Sequence, residues 1–307
     1  MRVAVVGAGG VGGFFGARLA QAGADVVLLA RGAHREAIRE RGLVLRYPDA
    51  EVAVSLRTES DPDRIGRSDA VLFCVKAYDA EAAAPLVRPL LGEDTSVIPL
   101  LNGVDHLDLL SDVVGRQHVL GGMAAVFSER TAPGVVVVSG GPDTLTFGEL
   151  DGSRTPRAER FLELCRAARI AEDLSSDIVS VMWRKLAFIC AQAGLTAVTR
   201  LPLGEIRESP AAFGLYERVL EEVLAVARGE GVSIRDGTAA QLLEFAATLE
   251  PDVFSSLHDD LVAGRRIEVE ALHGSVVRHA RALGLPVPAC ETIYALLAPW
   301  SAHAARS

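Results

Sequence analysis

The chain has 307 residues, 50% of them hydrophobic and 23% charged, which is enough apolar material for two buried domain cores. Its formal net charge of −9 at pH 7 argues against binding to nucleic acid or to an anionic membrane, because either partner requires a basic face. The four cysteines are far apart and the seven histidines show no paired spacing, so we predict reduced thiols and no metal site.

The N-terminus combines a short β-branched strand with a glycine-rich turn. The first residues read MRVAVVGAGGVGG and contain the GxGxxG spacing of the dinucleotide-binding fingerprint. An amphipathic helix and a second apolar strand, residues 26–29, follow, so the motif stands in the βαβ context that it requires. We therefore predict a Rossmann-type domain that binds a nicotinamide dinucleotide, with a glycine-rich turn that binds nothing as the alternative. The predicted cofactor-binding glycines are Gly7, Gly9, Gly10 and Gly12.

The end of the second strand indicates which dinucleotide the domain binds. A carboxylate at this point would select NAD by binding the ribose 2′-hydroxyl, but the chain has Ala30 and Arg31, followed by His34 and Arg35. The guanidinium of Arg31 matches a 2′-phosphate in charge and in geometry, so we predict NADP as the cofactor. Alternatively, Arg31 only caps the end of the strand, since arginine is frequent in this chain.

Lysine is rare in this chain, which has only Lys76 and Lys185 against 29 arginines. Lysine, unlike arginine, can release a proton when burial or a neighbouring charge tunes its pKa, so each lysine is a candidate for proton transfer. Lys76 follows a buried strand, residues 69–75, at the edge where open α/β sheets bind ligands. We therefore predict that Lys76 faces the cofactor, with an ordinary solvated lysine as the alternative.

Another buried strand, residues 96–101, ends in Asn102 and Gly103. This pair is typical of a simple turn, but it also follows a strand at the ligand-binding edge of the predicted sheet. Shorter β-type runs between residues 119 and 148, separated by glycine and proline, predict antiparallel strands that complete the sheet.

Helical periodicity dominates after residue 174. We predict an α/β fold in two domains, an N-terminal Rossmann-like domain over residues 1–174 and an all-α C-terminal domain over residues 175–307. Lys185 lies in an otherwise apolar helical segment, where partial desolvation would prepare it for proton transfer. A lysine whose ammonium group extends to water is the alternative. The predicted helices cover residues 176–193, 209–230, 236–248, 266–284 and 289–299.

The order and spacing of short motifs along nearly the whole chain resemble those of the ketopantoate reductase family, the 2-dehydropantoate 2-reductases. Each motif is modest alone, but their combination is specific. The motifs are Gly7-x-Gly9-x-x-Gly12, Arg31, Val75-Lys76-Ala77, Asn102-Gly103, Trp183-Arg184-Lys185-Leu186, Leu195-Thr196-Ala197, Phe254-Ser255-Ser256, EVEALHG at residues 268–274 and GLPVP at residues 284–288. The resemblance implies NADPH-dependent reduction of a 2-oxo acid to a 2-hydroxy acid, specifically of 2-dehydropantoate (ketopantoate) to pantoate in pantothenate biosynthesis.

The resemblance also implies roles for individual residues. Lys185 would be the general acid that protonates the carbonyl oxygen as hydride arrives from NADPH, and Glu268 would be its carboxylate partner. Asn102 and Ser256 would hydrogen-bond the substrate, Asn102 would also contact the cofactor, and Lys76 would lie beside the nicotinamide ribose or the substrate. Reduction builds negative charge on oxygen, which a nearby ammonium stabilises and neutralises. Taken alone, Glu268 is explained by i,i+4 pairing on a helix and Ser256 by helix capping.

One departure from the family affects the predicted substrate. Well-studied members carry asparagines four and eight residues after the lysine, on the same helix face, whereas this chain has Ile189 and Ala193. The pocket is therefore predicted to be less polar, which leaves a less polar 2-oxo acid as an alternative substrate. A further alternative from another class is an NADP(H)-binding sensor without turnover, against which Lys185 and Glu268 argue.

Two predictions concern assembly and location. The apolar face of the last helical segment, residues 291–300, is compatible with core packing or with a homodimer contact, and both alternatives stay open. The glycine motif begins almost at Met1, which leaves no room for a signal peptide, and no apolar run is long enough to span a membrane. We therefore predict a cytoplasmic protein whose partner is its small-molecule substrate.

Overall fold

The computed structural model describes residues 1–304, which form two compact units. The first unit contains Met1–Leu101 and His106–Ile178, and the second contains Asn102–Asp105 and the chain from Val179 onward. This division differs from the predicted boundary after residue 174. Residues 175–178 stay with the first unit, where the Ser175 amide donates a hydrogen bond to the Phe147 carbonyl at 2.8 Å. The inclusion of residues 102–105 in the second unit was not predicted.

The strands of the described chain lie in the first unit and form two sheets. In chain order they are β1 (Arg2–Val6), β2 (Asp25–Leu29), β3 (Leu43–Arg46), β4 (Glu51–Val54), β5 (Arg57–Glu59), β6 (Ser68–Phe73), β7 (Leu91–Pro99), β8 (Leu120–Ala132), β9 (Val135–Glu149) and β10 (Ala171–Leu174). One sheet is parallel throughout, in the order β5-β2-β1-β6-β7. The other has the order β10-β9-β3-β4, with β8 antiparallel to β9.

The parallel sheet confirms the predicted Rossmann-type fold. Its central strand β1 divides its side chains between two hydrophobic clusters, with Val3 and Val5 in one and Ala4 and Val6 in the other. A parallel strand covered on both faces is apolar along its whole length, as the N-terminal sequence is. The helices of this unit are α1 (Gly10–Gln21), α2 (Gly32–Arg41), α3 (Ala80–Ala83), α4 (His106–Val114) and α5 (Pro156–Ala167), with 3₁₀ helices at Pro62–Arg64, Ala77–Asp79, Ala84–Leu90 and Arg116–His118.

The prediction of antiparallel strands over residues 119–148 is confirmed, but the prediction that they complete the parallel sheet is wrong. β8 and β9 form a long antiparallel hairpin, but β9 pairs with β3 and β10 in the second sheet. An isolated bridge between Val97 and Val119 links the start of this region to β7. Alternating hydrophobicity identifies strands and turns, but it does not specify which sheet a strand joins.

The second unit is helical apart from its loops and residues 102–105. Its helices are α6 (Ile178–Thr199), α7 (Leu203–Glu208), α8 (Pro210–Gly229), α9 (Thr238–Thr248), α10 (Ser256–Val262), α11 (Ser275–Leu283) and α12 (Pro288–Ala304), with a π-helix at Glu270–Gly274. α6 is long and apolar enough to cross a membrane, but 67% of its 18-residue apolar window is buried inside the protein, as in a core helix. α7 and α10 were not predicted, because six and seven residues are too few to establish a helical period.

Candidate active site

Close backbone approaches explain three of the four predicted cofactor-binding glycines. Gly7 has a φ of +102°, and a Cβ atom there would lie 2.7 Å from the backbone of Cys74. A Cβ on Gly12 would overlap the carbonyl oxygen of Gly7, and a Cβ on Gly10 would overlap the carbonyl oxygen of Ser128. A side chain at any of these positions would therefore displace backbone.

Gly9 is different, because no atom lies within 4 Å of the position that its Cβ would occupy. Gly9 is the N-cap residue of α1 and has no side chain that could cap the helix, so no side chain satisfies the first N–H groups of α1 at this position. An uncapped helix N-terminus favours an anion through its N–H donors and its dipole. The turn and α1 therefore fit the pyrophosphate of a dinucleotide.

The residues after β2 have two different environments. Arg31 is exposed and is the N-cap residue of α2, whereas His34 is buried in the first turn of that helix. His34 Nε2 donates to the Ala8 carbonyl at 2.8 Å, and Nδ1 accepts from the Gly134 N–H at 2.9 Å. Burial lowers the pKa of His34, which keeps the ring neutral. His34 thus holds the glycine turn, a role that sequence reasoning missed because Gly134 is 100 residues away.

Lys76 lies at the carboxyl end of the parallel sheet, as predicted. It is half-buried, follows β6 by three residues and is the N-cap residue of the 3₁₀ helix Ala77–Asp79. The Cys74 amide donates to the Val6 carbonyl at 2.7 Å, which extends the pairing of β6 with β1 to the point where the glycine turn begins. Lys76 and the glycine turn therefore follow neighbouring parallel strands at the ligand-binding edge of the sheet.

Lys185 lies in α6, in the second unit. The side chain is half-buried, and the neighbouring Trp183 and Leu186 are buried. Burial lowers the pKa of the Lys185 ammonium to about 8, and the charge of Glu268 opposes that shift. A lysine with this pKa exchanges its proton near neutral pH, which an arginine at the same position could not do.

Glu268 and Asn102 come together in the same unit as Lys185. Glu268 is 7% exposed, and its Oε2 accepts a hydrogen bond from Asn102 Nδ2 at 3.4 Å. Asn102 follows β7 by three residues and is the first residue of the segment 102–105. The structure thus joins three predicted site residues, one amide, one carboxylate and one ammonium, although they are far apart in the sequence.

The state of the thiols and of the side chains that could bind a metal can be described for residues 1–304. The cysteines are all free thiols, of which Cys165, Cys190 and Cys290 are buried and Cys74 is half-buried. Within residues 1–304, no group of three or more His, Cys, Asp or Glu side chains could hold a metal ion. The candidate groups for chemistry in the second unit are Lys185, Glu268 and Asn102.

Comparison with known proteins identifies the family. Residues 3–152 match the family described as ketopantoate reductase PanE/ApbA, and residues 177–300 match the C-terminal domain of the same family. The chain belongs to the ketopantoate reductase family.

The similarity of this ketopantoate reductase family member to its relatives extends over nearly its whole length. An uncharacterized oxidoreductase of Bacillus subtilis (strain 168), YkpB, is 31% identical over 303 residues, covering 99% of this chain and 100% of that protein. A 2-dehydropantoate 2-reductase of Halobacterium salinarum is 32% identical, covering 95% and 96%. A crystal structure of a PanE/ApbA family ketopantoate reductase from Ralstonia eutropha JMP134 matches with a TM-score of 0.90 at 34% identity, covering 99% and 100%. This family member is therefore an oxidoreductase.

The fold extends to a more distant enzyme. A D-mandelate dehydrogenase structure with NADH and anilino(oxo)acetate matches this ketopantoate reductase family member with a TM-score of 0.90 at 22% identity, covering 99% of each chain. At this identity the match concerns the fold alone.

The remaining predicted substrate positions of this ketopantoate reductase family member lie in α10 and α6. Ser255, and not Ser256, caps α10 by accepting a hydrogen bond from the His258 N–H at 3.1 Å, which leaves Ser256 exposed at the first helical residue. Ile189 is half-buried one turn after Lys185, whereas Ala193 is 1% exposed. Of these two positions, Ile189 is therefore the one that can make the substrate pocket less polar, because the side chain of Ala193 is buried and inaccessible to a ligand.

The π-helix that follows Glu268 packs against α6 through His273. The ring is fully buried, and a Cβ on Gly194 of α6 would lie 2.6 Å from its Nε2. Burial lowers the pKa of His273 to about 4, so the ring is neutral. Glycine at position 194 thus permits the close approach of α6, which carries Lys185, to the segment that carries Glu268.

Proposed function

We propose that the chain catalyses the NADPH-dependent reduction of a 2-oxo acid to a 2-hydroxy acid, and that the acid is 2-dehydropantoate, reduced to pantoate in pantothenate biosynthesis. The observation that carries the proposal is Lys185, whose pKa of about 8 is set by burial and by the charge of Glu268. Carbonyl reduction needs such a tunable acid, whereas cofactor binding alone does not. The similarity to the 2-dehydropantoate 2-reductase of H. salinarum supports the specific substrate.

Each side chain of the second-unit site has a task in this reaction. When bound, the nicotinamide supplies hydride to the carbonyl carbon of the acid. The Lys185 ammonium stabilises the negative charge that develops on the carbonyl oxygen and donates its proton there. Glu268 keeps Lys185 protonated, because its charge raises the pKa of the ammonium. Asn102, held against Glu268, and the exposed Ser256 would donate hydrogen bonds to the oxygens of the acid.

The first unit would hold the cofactor. The N–H groups at the start of α1, beside Gly9, fit the pyrophosphate. Arg31 is exposed at the end of β2, where it would pair with the 2′-phosphate that distinguishes NADPH from NADH. Lys76, at the same sheet edge, would contact the nicotinamide ribose or the acid. The cofactor of this proposal is therefore NADPH.

A less polar 2-oxo acid is the second candidate substrate, and Ile189 favours it. This side chain lies one helical turn from Lys185, so it would contact an acid bound at the ammonium. An isoleucine there cannot hydrogen-bond the hydroxyl group of a polar substrate. That hydroxyl group would therefore be left unpaired. An NADP(H)-binding sensor without turnover is disfavoured, because it would have no use for Lys185.

Steady-state NADPH oxidation by the purified protein tests the function. The substrates are 2-dehydropantoate and, as a matched control, 3-methyl-2-oxobutanoate, which lacks one hydroxymethyl group. A kcat/KM for 2-dehydropantoate of at least ~10⁴ M⁻¹s⁻¹, above that for the control, is expected for the specific reaction. A preference for the control would assign the less polar substrate, and Ile189→Asn should then shift the preference towards 2-dehydropantoate. Tight NADPH binding without turnover of either acid would contradict the proposal.

A further inference from the structure

The Asp105 carboxylate binds the segment 102–105 to α11. Its Oδ1 accepts hydrogen bonds from the Ser275 hydroxyl at 2.6 Å and from His279 Nε2 at 3.0 Å. Its Oδ2 accepts from the Arg278 guanidinium at 2.7 Å. Burial opposes ionisation, but the hydrogen bonds from His279, Ser275 and Arg278 outweigh it and hold the pKa of Asp105 well below its usual range. Asp105 is therefore a carboxylate with three donors on a single helix.

His279 extends these contacts to α6. Its Nδ1 donates to Glu230 at 2.6 Å while Nε2 donates to Asp105, so the ring is an imidazolium. The hydrogen bond to Asp105 is the main reason that the pKa of His279 rises to about 9. The ring also meets Trp183 edge to face, with centroids 5.4 Å apart, and Trp183 precedes Lys185 by two residues. We call this group of five side chains the Asp105 cluster: Asp105, Glu230, Ser275, Arg278 and His279.

The backbone of the segment lies directly on the π-helix. Gly103 has a φ of +95°, and a Cβ there would lie 2.7 Å from the carbonyl oxygen of Ala271. Three contacts therefore join the two segments in the same order along the chain: Asn102 with Glu268, Gly103 with Ala271, and Asp105 with the first turns of α11. Successive residues of segment 102–105 therefore contact successive parts of residues 268–279.

We propose that Asp105 is a positioning residue for the reaction: through the Asp105 cluster it holds Asn102 at Glu268. This inference rests on the proposed function, because it needs a ligand-binding role for Asn102. The hydrogen bond from Asn102 to Glu268 is long, at 3.4 Å, and a bond of that length constrains an amide weakly. The charge-assisted bonds of Asp105, three residues along the chain, are shorter and stronger.

A double-mutant cycle in the full chain tests the coupling between Asp105 and Asn102. The kcat, the KM for 2-dehydropantoate and the dissociation constant of NADPH are measured for the wild type, Asp105→Asn, Asn102→Ala and the double variant. Because Asp105 acts through Asn102, Asp105→Asn should lower kcat/KM about tenfold in the wild-type background and by less than about twofold in the Asn102→Ala background. Equal losses in both backgrounds, the sign of a merely structural role, would overturn the inference.

The single variants separate this inference from the proposed function. If Asn102→Ala keeps the wild-type kcat/KM, the proposed role of Asn102 is wrong and the inference falls with it. If Asn102→Ala is impaired and Asp105→Asn is not, the proposed function stands and only the positioning role is overturned. Ser275→Ala removes one donor to Asp105 and should produce a smaller loss of kcat/KM than Asp105→Asn does. It replaces Asp105→Asn in the test if that variant does not fold.

Two further measurements complete the test. A crystal structure of Asp105→Asn, which needs no turnover, should show Asn102 displaced from Glu268, whereas an unchanged separation of 3.4 Å would overturn the inference. Glu270→Gln is the matched control, because Glu270 accepts from Arg278 at 3.3 Å and from Tyr294 at 2.8 Å but is not bonded to Asp105. Its kcat/KM should stay within about twofold of the wild type, as for an exposed ion pair.

Discussion

Because Lys185 has a pKa of about 8, the plot of kcat/KM against pH should have an alkaline limb near pH 8, above which activity falls. Burial lowers that pKa from 10.5 to about 8, which corresponds to about 3 kcal/mol against the charged form. With a pKa of about 8, about 90% of the enzyme carries the ammonium at pH 7 and about 9% at pH 9, whereas an unshifted lysine would remain about 97% protonated at pH 9. The profile of kcat/KM reports the free enzyme, so it should fall about tenfold between pH 7 and pH 9.

Glu268→Gln should move this limb to lower pH, because the Glu268 charge is the influence that raises the Lys185 pKa. The assay is NADPH oxidation at saturating cofactor from pH 6 to pH 10. Lys185→Arg, which keeps a positive charge but cannot donate a proton, should lose about 10²–10⁴-fold in kcat while NADPH still binds. Glu270→Gln is the control, because Glu270 is exposed and its charge is not among the causes that shift the Lys185 pKa, so the limb should stay at pH 8. A profile flat to pH 10, or one that Glu268→Gln does not shift, would refute this account of Lys185.

Other perturbations act on the cofactor turn and on the buried histidine. Arg31→Ala should weaken NADPH binding by about 1.5–3 kcal/mol and NADH binding hardly at all in fluorescence titrations; equal losses would remove the 2′-phosphate assignment. Gly12→Ala should abolish binding of both dinucleotides, because its methyl group overlaps the Gly7 carbonyl, and normal NADPH binding by this variant would contradict the geometry. His273 has a pKa of about 4 when folded and about 6.5 when unfolded, so the unfolded chain binds the proton first and stability falls as the pH drops from about 6.5 towards 4. This residue alone should cost about 2 kcal/mol between pH 7 and pH 5. Urea unfolding at both pH values should reveal a smaller pH dependence in His273→Asn than in the wild type, and identical dependences would count against a neutral buried ring.

Local patterns in the sequence predicted the parts of the structure that depend on neighbouring residues. The glycine turn follows from its own spacing, because Gly12 meets the backbone of Gly7 within the same βαβ unit. Lys185 could be singled out because it is rare in composition and lies in an apolar helix, the same burial that lowers its pKa. Residue type and local context were sufficient in both cases.

Contacts between distant segments could not be predicted in this way. Asp105 meets Ser275 across 170 residues, and neither has a local pattern that indicates the other. Glu268 was predicted only through the family resemblance, since a helical carboxylate is common and its burial depends on tertiary packing. The failed assignment of β8 and β9 to the parallel sheet has the same cause, because the choice of a pairing partner is a tertiary property.

The membership of residues 102–105 in the second unit limits how relatives of this chain can be recombined. The chain leaves β7, contributes four residues to the helical unit and returns to the first unit at His106, so no single cut separates the two units. A fragment ending at residue 178 would retain Asp105 without Ser275, Arg278 and His279, leaving a carboxylate without its donors. A chimera of two family members should therefore inherit residues 102–105 from the parent that supplies the helices. Its construction needs three junctions, one on each side of this segment and one at the start of α6.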